Sequence, residues 1–232
     1  MKKLTMFAFV AVFAASASHA SPAKSVDNSV PVINVPGLCP LGEYKASKID
    51  VNLDIPDNDP TGISTPPINF NLQPGVVVTD VVIDLEIAHT FVGDLIVTLF
   101  HDDGAGNVLS CDLVQRPGVP QSTFGCGGNL VGDPEAKYYF GTRADLEAIG
   151  EPDCTADIAA GCYAVAPENG VGNGLEIFRG MTVGVGTWHL EISDNAGADL
   201  GFVYNWSVHL LCETPISVED QSWGEVKALY QD

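Results

Sequence analysis

The residues best suited to chemistry in this chain are carboxylates at predicted turns. Asp94 stands in a Gly-Asp-Leu sequence, and Asp194 and Asp199 flank a turn of small residues. Calcium takes roughly six to eight oxygen ligands, including carboxylates from loops. Asp194 and Asp199, joined by Asp57 from another loop and with Asp94 as a further candidate, therefore predict a calcium site. The same side chains can instead cap their own turns, and the sequence leaves both interpretations open.

Hydrolytic chemistry is not indicated by any motif. The chain contains neither G-x-S-x-G nor H-E-x-x-H, the patterns of two common hydrolase types. His89 and His101 each stand at the end of a series of inward-facing residues. His189 and His209 instead lie on the face of their strands opposite to the core residues. Lone histidines on strands usually pack or hydrogen-bond within the fold. We therefore predict no catalytic residues.

Alternating hydrophobicity predicts an all-β fold. Apolar residues alternate with polar ones over 81–89 and 95–101, and a turn-forming stretch at 102–107 leads into 108–114. Trp188 and Trp206 begin similar inward series near the C-terminal end. Short alternating strands separated by Gly, Asp and Asn turns are typical of an antiparallel β-sandwich or jelly roll. At the start of the domain, residues 48–53 read as extended and 54–60 as a turn.

Two further segments have their own character. Residues 117–174 are dense in Gly, Pro and Cys, with a short helix indicated only over 143–149, and are predicted to be a disulfide-stapled insertion. The insertion either tethers a long loop or carries a specific activity. In the tail 213–232, Ser222 and Glu225 fit a capping box, which predicts a short C-terminal helix. Its apolar face would pack on the sandwich or bind another protein.

The N-terminus predicts export. Lys2 and Lys3 precede an apolar run and a small-residue cleavage site after Ala20, as in a signal peptide. Residues 21–43 read as an N-terminal arm, and 44–212 as the folded domain. Cleavage would change the formal charge from −20 to −22, which disfavours nucleic acid as a partner. No later segment is long and apolar enough to span a membrane, so we expect a secreted or periplasmic protein.

Cysteine content fits an exported protein with three disulfides. The six cysteines are Cys39, Cys111, Cys126, Cys154, Cys162 and Cys212. Fifteen pairings exist in principle; we favour Cys111 with Cys126, Cys154 with Cys162, and Cys39 with Cys212. A zinc site is the rival interpretation, but the chain has no C-x-x-C pair.

Two separated segments resemble a known domain family. Residues 89–95 read His-Thr-Phe-Val-Gly-Asp-Leu, and 186–194 contain Gly-x-Trp-x-Leu followed by Asp194; a glycine turn then leads to a strand bearing Trp206. This order is similar to that of the P domain (P/Homo B domain) of subtilisin-type proprotein convertases. The resemblance covers roughly residues 44–116 and 175–212, and implies a β-sandwich that packs against a protease, stabilises it and tunes its calcium dependence.

The resemblance implies a stand-alone accessory module, because the chain is too short to hold a subtilisin-like domain as well. A secreted protease or another surface protein is the partner it suggests. The alternative is a carbohydrate- or matrix-binding jelly roll, or an adhesin-like surface protein. In that case exposed rings of Tyr138, Tyr139 and Trp223 would stack on sugars.

Overall fold

The computed structural model describes residues 44–70, 72, 75–132, 136–142, 146–150, 155–165, 174–182 and 186–213. All of them belong to one compact unit, Val32–Asp232. The strands in chain order are β1 (Tyr44–Lys48), β2 (Leu53–Ile55), β3 (Asp59–Ser64), β4 (Val77–His89), β5 (Leu95–Asp102), β6 (Val108–Gln115), β7 (Tyr138–Gly141), β8 (Gly161–Ala164), β9 (Thr187–Asp194) and β10 (Gly201–Glu213). Two short 3-10 turns occur at Val92–Asp94 and Leu175–Phe178.

The strands form two sheets. The larger has the order β1-β10-β4-β7-β8, with β2 also paired to β10, and the smaller has the order β3-β9-β5-β6. All pairings are antiparallel except that of β7 with β8, which is parallel. The predicted all-β sandwich is therefore confirmed, but the expectation of purely antiparallel pairing is wrong for the larger sheet.

Inward-facing side chains from both sheets make one hydrophobic core. In β5 every second residue is buried, beginning with Leu95. The predicted inward series of β9 is buried from Trp188 to Ile192, and that of β10 from Trp206 to Leu210, whereas Cys212 at its end is only partly buried. Burying each such large apolar side chain contributes about 1.5–3 kcal/mol. The core therefore supplies the rigid frame on which the loops are held.

Strand β4 differs from its expected half-buried character. Residues 81–87 are buried on both faces, so the outward-facing Val82, Asp84 and Glu86 are also removed from solvent. The pattern of alternation predicted the strand correctly, because polar and apolar residues do alternate. It could not show that the outer face is covered, since coverage depends on residues distant in sequence.

The start of the domain was predicted with the wrong boundaries. Residues 49–52 form the connection between β1 and β2, where Asp50 and Asn52 have positive φ, a conformation that Asn and Asp adopt more readily than most residues. The expected turn at 54–60 instead contains parts of β2 and β3.

In the middle region, Ala148 pairs with Ala164 in a parallel bridge, so the described part of the expected helix at 143–149 is not helical. The expected C-terminal helix lies outside the described residues. Among the described residues, no helix combines the length and hydropathy that a membrane crossing requires.

Candidate functional site

Two neighbouring connections between the sheets contain the most distinctive residues of the sequence. The corner, residues 89–95, carries the chain from β4 in the larger sheet to β5 in the smaller one. The turn, residues 194–200, carries it back from β9 to β10. Both cross at the same end of the sandwich, because His89 pairs with Gly201 and Leu95 pairs with Asp194.

Hydrogen bonds join the corner to the turn. The Thr90 amide donates to the Leu200 carbonyl at 3.0 Å, and the Leu200 amide donates to Thr90 Oγ1 at 2.9 Å. Thr90 Oγ1 also donates to Asp199 Oδ1 at 3.0 Å. The Asn195 amide donates to the Asp94 carbonyl at 2.9 Å. The two sequence motifs therefore form a single clasp between the sheets.

A buried His-Asp contact lies beneath this clasp. His89 Nδ1 is 3.1 Å from the Phe91 carbonyl oxygen, and because a carbonyl only accepts, Nδ1 carries a proton. His89 Nε2 then faces Asp194 Oδ2 at 3.3 Å, with both side chains fully buried. Neither of these two atoms has a hydrogen-bond partner among the described residues, so the contact is a close approach of two buried polar groups.

Asp94 extends this polar cluster toward the surface. Its Oδ1 lies 3.5 Å from Arg116 Nη2, and Arg116 Nε donates to the Gly93 carbonyl at 3.1 Å. Burial and the neighbouring Asp194 carboxylate raise the pKa of Asp94, and the Arg116 charge opposes the rise. Arg116 thus links the charge of the cluster to the backbone of the corner.

Glycines at two motif positions permit close packing. A Cβ on Gly93 would lie 2.6 Å from the Phe124 carbonyl oxygen and the Cys126 nitrogen. A Cβ on Gly201 would lie 2.5 Å from His89 Cδ2. Both distances are far below van der Waals contact, so these positions require the absence of a side chain. The loop 124–126 consequently lies directly on the corner.

Each of the four predicted calcium ligands makes a contact within this region. Asp57 Oδ1 accepts from the Ala198 amide at 3.0 Å, and Asp194 Oδ1 accepts from the Ala196 amide at 3.0 Å. Asp199 accepts from Thr90, as described above, and Asp94 is close to Arg116. In the ranges that the structure covers, no group of three or more His, Cys, Asp or Glu side chains is arranged to hold a metal ion. Of these contacts, only that of Asp194 caps its own turn, whereas Asp57 and Asp199 bond to other segments. Both interpretations stay open, and calcium binding stays a prediction.

A second polar cluster, on the outer face of the larger sheet, was missed from the sequence. Asp84 on β4 is 2.7 Å from His209 Nε2 on β10 and 3.3 Å from Lys45 Nζ on β1. Burial acts to raise the pKa of Asp84, but the His209 hydrogen bond and the charges of Lys45, His209 and Lys137 together lower it to about 2. Asp84 Oδ1 is buried without a hydrogen-bond partner in the described part of the chain.

Glu86 continues this outer-face cluster, with Lys137 Nζ at 2.7 Å and a hydrogen bond from Asn205 Nδ2. The only sign of this cluster in the sequence was that acidic residues alternate with the inward-facing residues of β4. Their basic and histidine partners lie on β1, on β10 and just before β7, and only folding brings these distant segments together.

Tyr138 is not an exposed stacking ring, so that prediction is wrong. Its side chain is fully buried in the core. Its hydroxyl donates to the Ile158 carbonyl at 3.0 Å and accepts from the Val131 amide at 2.9 Å, and burial raises its pKa to about 12. Tyr139 is half-buried, and Trp223 lies outside the described residues.

The predicted bridge between Cys111 and Cys126 is also wrong. Cys111 is an unpaired, buried thiol on β6, and burial raises its pKa to about 12. Cys126 and Cys162 are disulfide-bonded, with pairings that the described residues do not define. Cys39 and Cys154 lie outside those residues, so the two bridges predicted for them stay predictions.

The histidines are engaged in structural contacts. His101 packs against Trp188 with ring centroids 4.4 Å apart, and His189 stacks on Phe100 at 5.2 Å. Within the described residues, none of the imidazoles at positions 89, 101, 189 and 209 hydrogen-bonds to a serine hydroxyl or a cysteine thiol. Comparison of the sequence with protein-family models and with curated proteins finds no match.

Proposed function

We propose that this chain is an exported, non-catalytic accessory module of the P-domain type, which binds and stabilises a secreted protease or another surface protein. The observation that most supports this proposal is the clasp between the corner and the turn. The two segments on which the resemblance rests lie far apart in sequence, yet they contact each other through Thr90, Leu200 and the His89–Asp194 pair. Their polar residues thereby serve to join two sheets.

The contacts of the histidines support a non-catalytic function. A general base must reach the proton that it removes and needs an accessible face. His89, His101 and His209 are all buried. His89 contacts the Phe91 carbonyl and lies near Asp194, His101 packs on Trp188, and His209 is bonded to Asp84. Of the four histidines in the described ranges, only His189 is partly exposed, and it faces Glu191 at 3.8 Å.

The finer architecture belongs to this proposal. We propose a jelly-roll-like sandwich, an insertion over 117–174 stapled by disulfides, and a short C-terminal helix. The disulfide-bonded state of Cys126 and Cys162 supports the staple and suits an oxidising compartment. The acidic turn loops remain the proposed location for stabilising calcium.

The function is tested with the purified mature chain, residues 21–232, and secreted proteases from the culture medium of the source cells. We expect no hydrolysis of peptide substrates by the chain alone, and slower thermal inactivation of a protease fraction when the chain is added. A heat-unfolded sample of the same chain serves as the control. Intrinsic hydrolysis, or protease half-lives that do not change, would contradict the proposal.

The alternative of a carbohydrate- or matrix-binding surface protein retains only Tyr139 and Trp223 as candidate stacking residues. Binding to a glycan array that is lost in the Tyr139→Ala variant would favour it over the accessory-module proposal.

A further inference from the structure

Three exposed apolar side chains lie on segments that are attached to the clasp. Phe124 is 70% exposed, Leu200 is 75% exposed and Val131 is 48% exposed. These are three of the six large hydrophobic side chains that the structure describes as exposed. We call these three side chains the clasp patch.

The members of the clasp patch come from two connections: Phe124 and Val131 lie between β6 and β7, and Leu200 lies between β9 and β10. Each of the three segments is attached to the corner. Leu200 exchanges hydrogen bonds with Thr90 through its amide and carbonyl. The Phe124 carbonyl lies against Gly93, and the Gly93 amide donates to the Cys126 carbonyl at 2.9 Å. Val131 follows Leu130, which pairs with His89 in both directions at 2.9 and 3.0 Å.

This attachment makes the surface rigid before any partner arrives. Gly125 has φ +76° and its Cβ would lie 2.7 Å from Gly93 Cα, so the loop can pack here only with glycine. Cys126 is disulfide-bonded in the same loop. Preorganised apolar side chains lose little conformational entropy on binding, which favours affinity.

Carboxylates border the clasp patch. Asp199 is adjacent to Leu200, Asp57 accepts from the Ala198 amide, and Asp157 accepts from Asn129 Nδ2 at 2.8 Å. None of the three is paired with a cation from the described residues. Asp57 and Asp157 are exposed and Asp199 is half-buried, so this acidic border complements a partner of positive charge.

The cations in the described part of the chain do not pair with this border. The structure describes five cationic side chains: Lys45, Lys48, Arg116, Lys137 and Arg179. Four of them lie within 3.5 Å of a carboxylate elsewhere, and Arg116, which is nearest to the patch, is directed to Asp94 and the Gly93 carbonyl. A second copy of so acidic a chain would be repelled, so self-association is the less favourable occupant.

We propose that the clasp patch is the partner-binding surface of this module, and that it takes an apolar segment flanked by lysine or arginine on another protein. This inference rests on the proposed accessory function and specifies its surface. An exposed group of large apolar side chains with a charged border is the usual composition of a protein interaction site.

The test uses a fluorescent peptide of four apolar residues with two arginines at each end, and a second peptide in which glutamates replace the arginines. We expect the arginine peptide alone to bind, with affinity that falls as salt is raised. Phe124→Ser and Leu200→Ser should each weaken binding by roughly fivefold or more, as for a residue at the centre of an interface. Both residues are exposed, so the variants should retain the wild-type melting temperature.

Val108→Ser is the matched control, because Val108 is also exposed, at 55%, but starts β6 at the opposite end of the smaller sheet. Three outcomes would contradict the proposal that the clasp patch binds a partner: equal binding of the two peptides, an equal effect of Val108→Ser, or no binding of the arginine peptide. If the protein forms dimers as its concentration is raised and these dimers prevent peptide binding, the occupant of the patch is a second copy, which would also contradict the proposal.

The protease-stabilisation assay separates the two proposals. If Phe124→Ser and Leu200→Ser stabilise the protease as well as wild type does, the proposed binding surface is wrong, while the proposed accessory function is supported. If wild type gives no stabilisation, the accessory function fails.

Discussion

Replacing Asp84 by asparagine removes the central charge of the outer-face cluster on the larger sheet. The carboxylate is 2.7 Å from His209 Nε2 and 3.3 Å from Lys45 Nζ, and its side chain is buried. Its pKa is about 2 in the folded protein against an ordinary 3.8. A difference of nearly two units corresponds to about 2 kcal/mol of stability at neutral pH.

The sign of the pH dependence follows from the lowered pKa. The charged form is favoured by folding, so the stabilisation is complete above the unfolded pKa near 4. It is lost as the pH falls toward the folded pKa of about 2. We therefore expect wild type to lose about 2 kcal/mol between pH 4 and pH 2 from this group, and Asp84→Asn to lack that component.

The measurement is urea-induced unfolding, followed by tryptophan fluorescence, at pH 7 and at steps from pH 4 to pH 2. Asp54→Asn is the matched control, because Asp54 is an exposed carboxylate on β2. We expect Asp84→Asn to be about 2 kcal/mol less stable than wild type at pH 7, with a gap that narrows toward pH 2. A gap that is constant with pH, or an equal loss in Asp54→Asn, would refute the reasoning.

Three further predictions concern the clasp, the free thiol and calcium. Gly93→Ala should lower the free energy of unfolding by about 2 kcal/mol or more in urea titrations, because its Cβ would meet backbone atoms at 2.6 Å; wild-type stability would contradict the close packing. Cys111 should resist iodoacetamide at pH 8 in the native protein and react after unfolding, because its pKa is about 12 and it is buried; rapid native labelling, mapped by mass spectrometry, would show that the thiol is accessible. EDTA should lower the melting temperature and excess calcium should restore it, and both effects should be smaller in Asp194→Ala. A melting temperature that does not change with EDTA would contradict calcium binding.

Strand patterning in the sequence predicted the part of the core that the long alternating strands supply. Alternation along β5 and β9 correctly identified Leu99 and Trp188 as inward, because one face of each strand packs on the opposite sheet. It could not predict the burial of Asp84 and Glu86. Whether an outer face is covered depends on which distant segments lie over it, and no local period reports that.

Cysteine spacing proved a poor guide to pairing. Cys111 and Cys126 are near in sequence, but Cys111 on β6 is opposite Leu99 on β5 and points into the core. Cys126 lies in the loop that contacts Gly93 at the corner. A disulfide requires Cα atoms within about 7 Å and suitably directed Cβ atoms, which loop length alone does not determine.

The polar residues of the two motifs also illustrate why a distinctive sequence need not mark a reactive site. Thr90 donates a hydrogen bond to Asp199 at the turn, and His89 and Asp194 approach each other beneath it. These side chains therefore make contacts between the two connections of the sheets. The groups left free at this end are the exposed side chains on the loops that the clasp fixes. A rigid frame that positions variable loops is a common way for a β-sandwich to acquire a partner. If the clasp patch binds a partner as proposed, the motifs fix the position of that surface and the loop residues supply its side chains.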